Sequence, residues 1–161
     1  MTRATTDQLG GQNIAAFLDM IAVSEIGAAL LAVSDDGYNV LVGSTPSDPH
    51  LFPSYAAHPN VYNKATNSDA AGRYQIMHYW WQAYLPLLHL PDFSPISQDL
   101  YALEQLKERK AIPWILVGNL QRAISAVSNI WASLPGSQYG QHVNQMADLT
   151  ATYVAAGGTL A

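Results

Sequence analysis

The sequence predicts an α+β domain, mostly helical with a small β region. Three observations carry that reading. Apolar residues recur at helical spacing from Asn13 onward, a short segment rich in β-branched and aromatic residues stands at 38–43, and four further helical patterns, punctuated by cap and stop residues, fill the second half.

In chain order, Ile14, Phe17, Leu18 and Ile21 follow the i, i+3, i+4, i+7 template of a helix with one apolar face. Glu25 continues that stripe, because eleven residues at about 100° each return it to within about 20° of Ile14. Ser34-Asp35-Asp36-Gly37 then reads as a turn, and Tyr38-Asn39-Val40-Leu41-Val42-Gly43 as a short strand. Residues 44–69, rich in Pro, Ser, Asn and His, read as loops with room for one more strand, a length of connection that often carries function. Trp80, Trp81, Tyr84 and Leu88 mark the next helix, with Pro91 just beyond its end. Ser94-Pro95 offers an N-cap followed by proline at the first helical position of another, running to about Lys110. Asn119 can cap a helix bearing Leu120, Ala123, Ile124, Val127 and Trp131, closed by Pro135-Gly136. A last helix with Val143, Met146, Tyr153 and Val154 stops at Gly157-Gly158. No internal repeat and no separate binding module is visible, so residues 1–161 read as a single domain.

Composition narrows the function classes. With 49% apolar and only 12% charged residues, the chain is a weakly charged globule and not a disordered one. Its net charge of −5 has the wrong sign for gripping a phosphate backbone, which excludes nucleic acid as the main partner. It has no cysteine, hence no disulfide framework and no thiolate metal site. The apolar window at 14–33 has the length of a membrane anchor, but it contains Asp19 and Glu25, each costing about 2.5–3.5 kcal/mol near the centre of a spanning helix, so stable membrane insertion is not expected.

Only three glutamates are present. Glu104 and Glu108 lie one helical turn apart beside Lys107, Arg109 and Lys110, the pattern of a solvated helix face. Glu25 differs, because a carboxyl in line with an apolar stripe is either turned to solvent or has its pKa raised by desolvation, and in the second case it can serve as a general acid. His50, His58, His78, His89 and His142 show no i,i+4 pair, and neither a nucleophile elbow nor a phosphate-cradling loop occurs. No metal and no cofactor is implied. Tyr38, Tyr55, Tyr62, Tyr74 and Tyr139, in or near loops, have the flat faces that stack on sugar rings, although most aromatics serve simply as packing.

At Phe17-Leu18-Asp19-Met20-Ile21-Ala22-Val23-Ser24-Glu25, taken with Gly37-Tyr38-Asn39-Val40, Ala71-Gly72-Arg73-Tyr74-Gln75, Phe93-Ser94-Pro95 and Ser128-Asn129-Ile130-Trp131-Ala132-Ser133-Leu134-Pro135-Gly136, the chain resembles the lambda-type phage endolysins, lytic transglycosylases of the lambda lysozyme family. The resemblance runs over about residues 13–158. It implies a lysozyme-like α+β fold in which helices surround a cleft between two lobes and a small β region forms one wall. It implies cleavage of the β-1,4 bond between N-acetylmuramic acid and N-acetylglucosamine without water, leaving a 1,6-anhydro ring, with Glu25 as the catalytic glutamate. By the same carry-over Tyr38, Asn39, His58, Arg73, Tyr74, Gln75, Tyr139 and Gln141 are expected to bind substrate, Tyr139 and Gln141 from a mobile rim. The implied partners are peptidoglycan glycan strands and a phage holin. The holin would admit a monomer, accumulated in the host cytoplasm, to the periplasm.

The sequence departs from the family pattern at Ile26-Gly27, where relatives have glycine directly after the glutamate, and at Ala57, which replaces an aspartate before His58. Ser137-Gln138 replaces a smaller pair, and Asn39 stands where relatives often carry aspartate, which removes the most obvious second carboxylate. A hydrolytic muramidase is the first alternative and requires a water-activating group, for which Asp35, Asp36 and Asp48 are the candidates, although each reads as a turn residue. A glycan-binding or phage structural domain without turnover is the second.

Overall fold

Local hydrogen bonding opens the first helix. The Thr5 hydroxyl accepts from the Gln8 N–H at 3.2 Å while the Gln8 side chain accepts from the Thr5 N–H at 2.8 Å, a reciprocal cap that holds even a four-residue helix. In this computed structural model, which describes residues 2–136 and 143–161, the helices are α1 (Thr6–Leu9), α2 (Gln12–Ile26), α3 (Ala28–Ala32), α4 (His78–Leu87), α5 (Pro95–Glu108), α6 (Ile112–Leu116), α7 (Leu120–Val127) and α8 (Met146–Ala155). The fold is mostly helical with little strand, as the sequence predicts.

The chain divides into two compact units, one made of Met1–Arg3 and Ile26–Tyr101, the other of Ala4–Glu25 and Ala102–Ala161. In the second unit α2 is buried on most of its circumference and not along a single stripe: Ala15, Ala16, Met20 and Ala22 are interior along with Ile14, Phe17, Leu18 and Ile21. Small alanines allow this all-round burial. Leu106, Ile115, Ile124, Leu134 and Tyr153 complete the interior. Asn119 caps α7 as predicted, its side chain accepting from the Arg122 N–H at 3.2 Å. Trp131 and Val143, expected within helices, lie outside α7 and α8.

The first unit is organised around Phe93, fully buried, whose ring meets those of His58 (4.6 Å between centroids), Trp81 (4.7 Å) and Phe52 (5.8 Å). The strand expected at 38–43 is replaced by isolated antiparallel bridges, Val40 with Leu51 and Leu41 with Ala71. Backbone bonds run to both sides of it, from the Leu41 N–H to the His50 carbonyl and from the Gly72 N–H to the Val40 carbonyl. Turns at Asp36, Gly37 and Gly43 leave too few extended residues between them for a longer ladder. The loops at 44–69 contain no additional strand; Asn63 instead organises them, its side-chain oxygen accepting from the Ala65 and Thr66 N–H groups and its amide donating to the Val42 carbonyl.

Helix α5 starts where predicted, and the Asp92 side chain braces its entry, accepting from the Ser94 N–H and the Ser97 hydroxyl. The apolar window at 14–33 is broken at Gly27, whose φ of +85° ends α2 and admits α3. None of the described helices is long and apolar enough to cross a membrane.

Candidate active site

The last turn of α2 presents Glu25, and the segment following α7 brings Ser133 to it. The Ser133 hydroxyl donates to Glu25 Oε1 at 2.5 Å, and the Ser133 backbone N–H also reaches the carboxyl. Ser133 Oγ is in turn 2.7 Å from Ser24 Oγ. Asn144 closes the cluster: its backbone N–H donates to the Ser133 carbonyl at 2.9 Å, and its Nδ2 donates to Ser24 Oγ at 3.0 Å and to the Ser24 carbonyl at 3.1 Å. The neighbours Trp131 and Leu134 are buried and anchor the Ser133 segment.

Burial holds the Glu25 carboxyl above the ordinary carboxylate range, and the two Ser133 hydrogen bonds, which favour the charged form, oppose this without cancelling it. The net result is a carboxyl biased toward its protonated form. That is the condition for a general acid.

A second cluster, within the other unit, gathers three of the expected substrate-binding residues. The hydroxyls of Tyr38 and Tyr74 both donate to Asp99 Oδ1, at 2.8 Å and 2.6 Å. The Arg73 guanidinium lies 5.1 Å from the centre of the Tyr38 ring and pairs with Asp36 Oδ1 at 2.7 Å. Burial raises both tyrosine pKa values, and the Asp99 charge raises them further. For Arg73 burial works against the charge, but the Asp36 carboxylate opposes it, and the guanidinium stays charged. Gln98 threads the cluster, accepting from the Arg73 N–H and donating to the Tyr38 and Phe93 carbonyls.

Of the residues expected to bind substrate, Tyr38, Arg73 and Tyr74 have polar side-chain atoms engaged within this cluster. Each is at most 3% exposed. His58 is interior as well: Nε2 donates to the Ile76 carbonyl at 2.8 Å and Nδ1 accepts from the Asn60 N–H at 3.1 Å. Those two bonds define a neutral ring with both nitrogens in use. Asn39, half-buried, accepts from the Asp35 N–H and closes a turn, while Gln75 folds back to donate to the Gly72 carbonyl. Tyr139 and Gln141 lie outside the described residues.

Each carboxylate considered as a water-activating group has a local partner: Asp35 accepts from the Tyr55 hydroxyl, Asp36 pairs with Arg73, and Asp48 lies 3.2 Å from His50 on the surface. Among the described residues no group of three His, Cys, Asp or Glu side chains is arranged to hold a metal. Sequence reasoning missed Ser133, Ser24 and Asn144, which carry no periodic signal. It also missed Asp99, for which a signal existed: Asp99 precedes the buried Ala102, Leu103 and Leu106 by three, four and seven residues, the spacing that singles out Glu25.

A family model for endolysins matches residues 15–160. The chain is 44% identical over 155 residues to the endolysin of Escherichia phage P2, covering 91% of this chain and 94% of the relative. It is 46% identical over 149 residues to that of Escherichia phage lambda, covering 90% and 91%. Among solved structures, bacteriophage lambda lysozyme complexed with a chitohexasaccharide matches with a TM-score of 0.84 at 42% identity, and another structure of lysozyme from bacteriophage lambda with 0.79 at 41%, each over the full length of both chains.

Proposed function

The chain belongs to the endolysin family, and from that premise we propose that it cleaves the glycan strands of peptidoglycan as a lytic transglycosylase acting on the β-1,4 bond between N-acetylmuramic acid and N-acetylglucosamine. The observation that carries the reading is Glu25, a single carboxyl at a helix end, biased toward its protonated form by burial and oriented by Ser133. The chitohexasaccharide held by the lambda relative supports a glycan as the ligand.

One carboxyl suffices for this chemistry. Protonated Glu25 donates to the bridging oxygen as the glycosidic bond breaks, and the resulting carboxylate takes the proton of the 6-hydroxyl of the same muramic residue, whose oxygen bonds to the anomeric carbon. The proton removed replaces the proton given, no water is consumed, and the product ends in a 1,6-anhydro ring. An intramolecular nucleophile has a high effective molarity, which favours it over solvent. Hydrolysis normally needs a second carboxylate. The local partners of Asp35, Asp36 and Asp48 support the one-carboxyl reading.

The reading treats residues 1–161 as one catalytic domain acting as a monomer, which collects in the host cytoplasm and reaches the wall after a holin opens the inner membrane. The deciding experiment is mass spectrometry of the earliest products from purified peptidoglycan in isotopically labelled water. Anhydro ends, lighter than hydrolysed ends by one water and free of labelled oxygen, are expected. Labelled reducing ends would establish hydrolysis instead. In the same assay Glu25→Gln, which keeps the size and removes the proton donor, should fold normally and release almost no product, while Glu104→Gln should behave as wild type.

A further inference from the structure

We propose that Ser133 is a positioning residue for Glu25, and that Ser24 and Asn144 set the direction in which its hydroxyl donates. The inference deepens the reading of Glu25 as the acid and rests on it.

The direction follows from what each group is able to give. Asn144 Nδ2 has two hydrogens and no lone pair to accept with, and its two shorter contacts are Ser24 Oγ at 3.0 Å and the Ser24 carbonyl at 3.1 Å, the Ser133 carbonyl lying farther at 3.4 Å. Ser133 directs its one hydrogen to Glu25 Oε1 at 2.5 Å, so across the 2.7 Å contact between the two hydroxyls it is Ser24 that donates to Ser133 Oγ. Asn144 Nδ2, which cannot accept, leaves the Ser24 hydrogen available for that bond. Run in reverse, the chain would require Glu25 to spend its proton on Ser133, leaving none for a glycosidic oxygen. Asn144 thus supports the polarity that frees the acid proton.

The same arrangement serves both halves of the proton cycle. Burial favours the neutral acid needed for donation, and a hydroxyl hydrogen held against Oε1 stabilises the carboxylate formed afterwards. Because Ser133 is clamped by its carbonyl to the Asn144 N–H at 2.9 Å, its hydroxyl keeps this aim without having to be ordered during the reaction.

The test uses the full chain with Ser133→Ala, Ser133→Thr and Ser24→Ala, read in two ways: the titration midpoint of the Glu25 side-chain carboxyl carbon by NMR, and kcat and KM on purified peptidoglycan fragments across pH. Ser133→Ala should raise the Glu25 midpoint by about one pH unit, move the alkaline limb of the kcat profile up with it, and lower kcat roughly tenfold with little change in KM, as expected for losing a hydrogen bond to a charged group. Ser133→Thr should restore all three values. Ser24→Ala should shift the midpoint in the same direction by less. A folded Ser133→Ala with wild-type midpoint and kcat overturns the proposal. If Ser133→Ala does not fold, an unmoved midpoint in Ser24→Ala overturns it equally. Should Glu25→Gln retain activity, the role of Glu25 as acid fails, while the NMR midpoints still decide whether the relay governs its proton.

Discussion

At Glu25 and at His58 burial acts on opposite kinds of charge, and the two side chains answer differently. Glu25 is driven toward its neutral acid, which still has a proton to give. His58 is driven toward its neutral base, and burial lowers its pKa by more than the Ile76 carbonyl and Asp69 restore, with His78 adding to the lowering. Below its ordinary 6.5 the unfolded chain therefore binds a proton that the folded chain declines, so the stability contributed by neutral His58 is complete above that value and is lost as pH falls through the folded one. Thermal unfolding followed from pH 8 to 5 should show His58→Gln losing less stability on acidification than wild type. Comparing the two cancels the opposite contribution of Glu25, which is common to both. Parallel curves would show that folding leaves the proton affinity of His58 unchanged. Spacing alone made Glu25 legible, because a carboxyl in an apolar stripe must be explained. Ser133 was illegible, because it approaches Glu25 from 108 positions away in a segment without a period.

Elements with end signals were readable and short ones were not. Asn119 and Ser94-Pro95 mark the starts of α7 and α5 within a residue, since capping chemistry is local. Helices α1, α3 and α6 have four or five residues each, too few to display a repeat of 3.6, and pass for turns or for part of a longer apolar run. The loop from Ala71 to Ile76 shows a different limit: its sequence is recognisable, but its reason lies in α5. Gly72 has φ +79°, and a Cβ there would stand 2.2 Å from Gln98 Oε1, the atom that accepts from the Arg73 N–H. Gly72→Ala would combine backbone strain with displacement of a buried glutamine that also holds the Tyr38 and Phe93 carbonyls. Denaturant unfolding should register a loss of about 2–4 kcal/mol from these two effects together. A change within about 0.5 kcal/mol, the usual range for a neutral surface substitution, would mean that Gln98 swings aside freely and that the loop does not depend on it.

For the whole molecule, charge decides how an anionic polymer is met. The chain carries −5, and four of its seven cationic side chains have intramolecular partners: Arg73 on Asp36, Arg3 at 4.0 Å from the same residue, Lys107 on Glu104, and Arg122 over the Trp114 ring. No strong long-range field therefore draws this protein toward the cell wall, and recognition is left to short-range hydrogen bonds and apolar contacts with the sugars. Such contacts act at distances below the Debye length of about 8 Å at 0.15 M salt and are little screened. If anything, salt weakens the repulsion between like-charged partners. The initial rate of glycan release from purified peptidoglycan should accordingly stay level or rise as salt is raised from a few millimolar to about 0.15 M. A steep fall over that interval would mean that exposed cations such as Lys64, Arg109 and Lys110 hold the polymer, and charge reversal at Lys64 would then be expected to make the salt dependence shallower.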